Sequence, residues 1–224
     1  MYCLQKYRTF ARKLQTTKTM KALLLNGSPH AHGGTQAALE VVAHELEKNG
    51  IETEIVHVGH KQIHGCIACY KCFQTGECVF KDIVGELAPK FEQADGIVIG
   101  TPVYYSSPAG TLISFLDRFF YSTHFDKRMK VGATVVTSRR AGSVATFDVI
   151  NKYFMISQMP VVSSQYWNEA YPTREGSLEQ DPEGEQTMRV LGRNMAFLIK
   201  AIAAEKEKNG LPEPEQHTYT GFAR

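Results

Sequence analysis

No stretch of this 224-residue chain is an apolar run of the roughly 20 residues that cross a bilayer, so no membrane-spanning helix and no membrane association are expected. Residues 1–19 hold no acidic side chain and no apolar core, which excludes a secretory signal. They carry instead Lys6, Arg8, Arg12, Lys13 and Lys18. Such a segment is either a targeting peptide or an extension upstream of the fold, and we read it as an extension, with the fold beginning at Met20. Net charge is also nearly lacking, +2 from 25 basic and 23 acidic residues. Without the five basic residues of the extension the body is about −3, so it offers no electrostatic footprint for nucleic acid. No Gly-Lys-Ser/Thr ending marks a triphosphate loop, and no Gly-x-Gly-x-x-Gly run marks a dinucleotide fold. A Ser-His-Asp set or paired carboxylates suited to hydrolysis are missing too, and no catalytic side chain is nominated. There is no internal repeat.

Cysteine is scarce but concentrated: four of the five lie between Cys66 and Cys78. An odd, clustered set is not a secreted disulfide framework, so a cytoplasmic, reduced protein is expected, with thiols either free or ligating.

Hydrophobic (43%) and charged (21%) fractions are ordinary for a globular domain, and the length suits one core. From Met20, apolar runs alternate with helical patterns. Strands are expected at Lys21–Asn26, Glu52–Val58, Asp95–Thr101, Val131–Thr137 and Val161–Gln165. Helices are expected at Thr35–Asn49, Asp82–Gln93, Pro108–Ser122, Val144–Gln158 and Glu185–Asn209. Trp167–Gly184 reads as a polar surface insertion. The expected architecture is an α/β fold with a doubly wound, five-stranded parallel sheet in three layers. It occupies 20–210 as a single domain, followed by a tail at 211–224.

Ligands of such sheets sit outside the carboxyl ends of the strands. The first loop there, Gly27-Ser28-Pro29-His30-Ala31-His32-Gly33-Gly34-Thr35-Gln36, is small, hydroxylated and glycine-rich. Its backbone N–H groups, the helix N-terminus behind it and the Ser28 and Thr35 hydroxyls suit a phosphate. A merely flexible connection capped by Thr35 is the rival reading. The stretch Thr101 to Gly110 has two prolines and the pair Tyr104-Tyr105, a stiff edge with aromatic faces suited to a planar heterocycle, or equally to a core cap or a subunit contact. Thr137 to Ser143 carries Arg139 and Arg140, either partners for negative charge on a reduced flavin or a nicotinamide donor, or solvated surface arginines.

Cys66, Cys69, Cys72 and Cys78 form a C-x2-C-x2-C-x5-C run between Gly65 and the second helix. Three cysteines at this spacing can turn around a compact iron–sulfur cluster, with the fourth completing the ligation. Zinc on four thiolates, a redox-active thiol pair, and plain reduced thiols remain open alternatives.

Several of these stretches together resemble a known group. Asn26-Gly27-Ser28-Pro29, the Gly-Cys-x-x-Cys-x-x-Cys run from Gly65, Gly100-Thr101-Pro102-Val103-Tyr104 and Phe115-Leu116-Asp117-Arg118 resemble the flavodoxin family, in its NADPH-dependent FMN reductase and iron–sulfur flavoprotein branch. The likeness continues through Pro160 to Tyr166 and Leu191 to Ala196, covering about Met20 to Lys206. It implies a flavodoxin-like sheet of order 2-1-3-4-5. It implies FMN phosphate at Ser28, His30, Gly34, Thr35 and Gln36, with His30 standing where the family commonly has Arg or Lys. The flavin ring is expected against Pro102, Val103, Tyr104, Tyr105 and Ser106. Ser138, Arg139, Arg140, Gly142 and Ser143 are expected on its other side. Cys66, Cys69, Cys72 and Cys78 become candidate ligands of a [4Fe–4S] cluster.

The implied activity is an FMN-dependent oxidoreductase. It passes electrons from NAD(P)H or a ferredoxin-like donor to a small acceptor: a quinone, flavin, metal or oxygen species. The alternatives are an electron carrier with FMN and a cluster but no small substrate, and a regulatory module without flavin. A homodimer or homotetramer with flavin near the interface is also implied.

Overall fold

In the first strand, β1 (Lys21–Asn26), side chains alternate between two apolar layers: Leu24 joins the core on one face of the sheet, Leu23 and Leu25 the core on the other. The computed structural model describes residues 19–222, so Met1 to Lys18 of the basic extension lie outside the described residues. β1 pairs in parallel with β2 (Glu52–His57) and with β3 (Gly96–Tyr104). β3 pairs in parallel with β5 (Val131–Thr137), and β5 with β6 (Glu169–Ala170). The order β2-β1-β3-β5-β6 is the expected 2-1-3-4-5 arrangement, with β4 (Ser107–Pro108) as an antiparallel flap on the end of β3.

Helices cover both faces. α1 (Gly34–Lys48) and α6 (Pro182–Asn209) bury Leu39, Val42, Leu46, Leu191, Met195 and Ile199 against one side of the sheet. The two helices approach so closely that a Cβ on Gly192 would lie 2.9 Å from the Val42 carbonyl oxygen. α3 (Ile83–Gln93), α4 (Gly110–Ser122) and α5 (Ser143–Ile156) cover the other side, with Phe91, Phe115, Phe119 and Phe154 at its centre. The remaining helix, α2 (Cys72–Thr75), is a single turn inside the cysteine run, where no helix was expected.

Two local expectations are corrected. Val161–Gln165 is not a strand: it makes one bridge, Gly132 to Val161, and then leaves the sheet. Side-chain hydrogen bonds hold it instead. Asn168 Nδ2 donates to the Val162 carbonyl, Asn194 Nδ2 donates to the Ser163 carbonyl, and Ser164 Oγ donates to the Thr187 carbonyl. The edge strand therefore forms later, at Glu169–Ala170, within the stretch read as insertion. In addition, β3 runs on through Pro102 to Tyr104, so the expected second loop is a hairpin whose tight turn is Tyr105-Ser106, both at positive φ (51° and 57°). Among the described residues, no helix is long and apolar enough to cross a membrane.

Candidate functional site

The carboxyl ends of β1, β3, β5 and β6 surround an open cleft of about 1240 Å³, larger than the roughly 300–1,000 Å³ of most small-molecule sites. Its floor is the loop from Ser28 to Thr35. Asn26, buried at the end of β1, shapes that loop: its Oδ1 accepts from Ser28 N (2.9 Å) while its Nδ2 donates to Gln36 Oε1 (2.9 Å). Ser28 Oγ accepts from His30 N at 3.2 Å, which leaves the hydroxyl proton for another acceptor. Thr35 Oγ1 and Thr137 Oγ1 lie 2.8 Å apart and are buried, so one of their two protons is shared and the other is spare. α1 begins without a side-chain cap and with no acid in its first turn, so its positive end is left uncompensated beside the loop.

The segment after β2 braces this loop from below. His57 Nε2 lies 2.7 Å from the Ser28 carbonyl oxygen. Gly59 passes so close that a Cβ there would sit 2.1 Å from the same oxygen. Only glycine allows this contact.

Of the expected flavin residues, Ser28, His30, Gly34, Thr35, Pro102, Val103, Ser138 and Arg139 line the cleft. Gln36, Tyr104, Tyr105, Ser106, Arg140, Gly142 and Ser143 lie outside its lining. Gln36 is spent on Asn26, and Ser143 Oγ lies 3.0 Å from Ser138 Oγ, holding the third loop in place. Tyr105 is fully exposed at the hairpin tip. Gly142, at φ 93°, sits against that hairpin: a Cβ there would lie 2.7 Å from Ser106 Oγ. The hairpin and the third loop thus form one wall above the cleft.

The opposite wall was missed by sequence reasoning. Tyr171, Pro172, Thr173, Arg174, Glu175 and Gly176 follow the short edge strand and fold over the first loop. Gly176 meets the backbone of Gly33 and Gly34, and a Cβ on Gly34 would lie 2.1 Å from Pro172 Cγ. Asp181 anchors this wall, accepting from Tyr171 N (2.6 Å) while also capping α6 through Gly184 N (3.0 Å). Burial pushes the Tyr171 phenol above its ordinary pKa and the nearby Glu169 carboxylate adds to the effect, so the phenol stays a donor at neutral pH. Arg174 and Arg139 bring two cations to the cleft lining, beside one carboxylate from Glu175.

The second feature is the cysteine run. All four described cysteines, Cys66, Cys69, Cys72 and Cys78, line one small pocket with Ile67, Tyr70, Val79, Phe80, Arg118, Tyr121 and Ser122. The chain curls to achieve this. Ala68 (φ 49°) and Tyr70 (φ 57°) are both left-handed, a costly conformation for side-chain-bearing residues and one that clusters at ligand sites. Gly76 then ends α2 at φ 78° and turns the chain toward Cys78. Cys72 is buried, which raises its thiol pKa; Cys66 and Cys69 are exposed. The pocket's free volume of about 20 Å³ admits little more than one water, which needs roughly 10–15 Å³ on that measure. Among the described residues no three His, Cys, Asp or Glu are gathered at metal-binding separations. Loading a cluster therefore requires the thiols to draw together and the pocket to open. The donor chemistry itself fits: four thiols, an apolar lining and one buried cation, Arg118.

Comparison with known proteins identifies the family. The model of the family described as NADPH-dependent FMN reductase matches residues 20–172. The chain belongs to that family. It is an FMN-binding, flavodoxin-like oxidoreductase family, and curated relatives of this member are iron–sulfur flavoproteins. One from Methanocaldococcus jannaschii is 32% identical over 191 residues, covering 82% of this chain and 99% of its own. Another, from Methanosarcina thermophila, is 27% identical and covers 84% of this chain and 100% of its own. Among solved structures, RosB with a bound riboflavin-phosphate intermediate superposes with a TM-score of 0.68 at 19% identity, covering 92% of this chain and 94% of that one. An archaeal flavodoxin superposes at 0.56 and 16% identity, covering 81% and 99%. These structural likenesses bear on the fold alone.

Proposed function

We propose that this family member is an FMN-dependent oxidoreductase that takes electrons from NAD(P)H or a ferredoxin-like donor and passes them to a small acceptor. The observation that carries this reading is the cleft at the carboxyl edge, with an uncapped helix N-terminus and spare hydroxyl protons at one end and a stiff hairpin at the other. Ser28, His30, Gly34, Thr35 and Gln36 form the phosphate end, with Gln36 acting through Asn26. Pro102, Val103, Ser138 and Arg139 form one side of the ring site, backed by Tyr104, Tyr105, Ser106, Arg140, Gly142 and Ser143, and Tyr171 to Gly176 form the other. Arg174 joins them as the cation that His30 does not supply.

When bound, FMN exchanges one or two electrons, and a cluster on Cys66, Cys69, Cys72 and Cys78 exchanges one at a time. The chain's own part is to bind, orient and tune. The hydroxyls hold the phosphate, Arg139 and Arg174 offset negative charge, and the two walls flank the ring. Reduced thiols fit a cytoplasmic protein, and Tyr105 at the hairpin tip fits a homodimer or homotetramer contact.

A second reading, an electron carrier without a small substrate, is favoured by the exposed apolar rim of the cysteine pocket: Ile67, Tyr70, Phe73, Val79 and Tyr121. Such a rim suits a protein partner. The deciding experiment is an absorption spectrum with iron and sulfide assays on anaerobically purified protein, followed by NAD(P)H turnover with small acceptors and by exchange with reduced ferredoxin. Flavin with steady NAD(P)H turnover supports the enzyme. Fast ferredoxin exchange with negligible NAD(P)H turnover supports the carrier. A chain that neither carries nor takes up FMN overturns both.

A further inference from the structure

Arg118 is a cation in an unexpected place. It sits on α4, facing the apolar core, and is 1% exposed. All five of its N–H groups have partners. Nη1 and Nη2 donate to Asp82 Oδ2 (2.7 Å) and Oδ1 (2.9 Å), a bidentate ion pair. The second Nη1 proton goes to the His64 carbonyl, the second Nη2 proton to the Phe80 carbonyl, and Nε to Cys78 Sγ, each at 3.3 Å. The guanidinium also lies 4.8 Å from the Phe80 ring centroid, and the His64 and Phe80 rings stack at 5.0 Å.

These partners have a pattern. His64 stands just before the cysteine run, while Cys78 and Phe80 stand at and just after its end. One side chain therefore ties both ends of a 17-residue segment to one point on a core helix. Asp82, its counter-ion, also caps α3 through Val84 N, so the anchor is rigid on both sides. Four thiols on a free loop would lose considerable entropy in converging. Here the loop ends are already closed.

We propose that Arg118 is the positioning residue of the cysteine run: it closes the loop from His64 to Phe80 and, through its hydrogen bond to Cys78 Sγ, sets the electronic character of the iron–sulfur centre that those thiols hold. The inference rests on the cluster assignment made above. Hydrogen bonds to ligating sulfur and nearby positive charge both favour the more negative, reduced state of a cluster. Lysine keeps the charge but cannot reproduce the planar fork. Gln with a neutral partner removes charge and fork together.

The test uses the full chain in three forms: wild type, Arg118→Lys, and the double variant Arg118→Gln with Asp82→Asn. The double variant avoids leaving Asp82 as a lone buried charge, whose cost threatens folding. In iron-free, FMN-loaded protein, amide exchange at Gln74, Thr75 and Gly76 is expected to rise at least tenfold in both variants, with residues 28–36 unchanged. In iron-loaded protein, both variants are expected either to lose iron and sulfide while keeping FMN, or to hold a centre with a lower midpoint potential. A tenfold change in the reduced-to-oxidised ratio is read as about 59 mV for one electron. Unchanged exchange at 74–76 overturns the loop-closing role, and full iron content at an unchanged potential overturns the electronic one. If wild type itself takes up neither iron nor sulfide, the cluster assignment fails, and with it the electronic role; the exchange experiment still decides the loop.

Discussion

Ser28 and Thr35 look equivalent as hydroxyl donors, yet their surroundings make them unequal. Ser28 Oγ accepts from His30 N and keeps its own proton. Thr35 shares a proton with Thr137, whose hydroxyl also reaches the cleft. Removing Thr35 frees Thr137 to donate in its place, while nothing replaces Ser28. A hydrogen bond to a charged group contributes about 1.5–3 kcal/mol, so Ser28→Ala is expected to weaken FMN binding roughly 10- to 100-fold. Thr35→Ala is expected to cost less, and Ser28→Ala with Thr35→Ala about the sum of its parts. Fluorescence titration of flavin-stripped protein measures all three, and a wild-type Kd in the double variant would remove the phosphate from this loop. Arg174 is argued differently, because its contribution is mostly charge. Arg174→Ala is expected to raise the FMN Kd and to flatten its dependence on salt. An unaltered salt slope would mean that Arg174 faces solvent rather than the phosphate. Ser28 and Thr35 were legible because loop composition announces them. Arg174 was not, since an arginine in a polar insertion looks like any solvated charge until the edge strand is placed.

Element boundaries explain that miss. A short apolar run, Val161-Val162, suggests a strand at 161–165, but apolarity marks burial and not a hydrogen-bond ladder. Asn168 and Asn194 satisfy that backbone from the side, Ser164 ties the segment to the Thr187 carbonyl, and the two-residue edge strand β6 has no pattern long enough to read. Moving the edge strand to Glu169–Ala170 turns the following residues from a surface insertion into the opposite wall of the cleft. The central strands were legible for the opposite reason: β1, β3 and β5 are buried on both faces and leave continuous apolar runs. Gly34 tests that wall as an element. A methyl group there meets Pro172 at 2.1 Å, and a proline ring cannot rotate aside. Gly34→Ala is expected to push residues 171–176 off the first loop and to weaken FMN binding about tenfold, with overpacking costing about 1–3 kcal/mol of stability. Thermal melts with and without FMN separate the two effects. A variant that binds FMN like wild type would detach this segment from the site.

At the scale of the whole molecule, both redox features hang from the same edge of one sheet but rest on different anchors. The cleft is built from the ends of β1, β3, β5 and β6, whereas the cysteine pocket is built from the β2–α3 connection and fastened to α4 through Arg118. They meet near the start of the connection, at His57 and Gly59 under Ser28. Sites held by separate elements that share few partners contribute nearly additively. Loss of one should therefore leave the other standing. Cys69 is the sharpest probe, because it is exposed, at the centre of the run, and bonded to nothing that supports the cleft. Cys69→Ala is expected to abolish iron and acid-labile sulfide, to leave FMN stoichiometry and Kd within about twofold of wild type, and to shift the melting temperature little in the iron-free state, since an exposed thiol buries almost no surface. Removing iron from wild type by anaerobic chelation should reproduce the same flavin-only spectrum. Concerted loss of FMN with the cluster would show instead that the β2–α3 connection transmits the state of the thiols through His57 and Gly59 to the phosphate loop, making the two sites one cooperative unit.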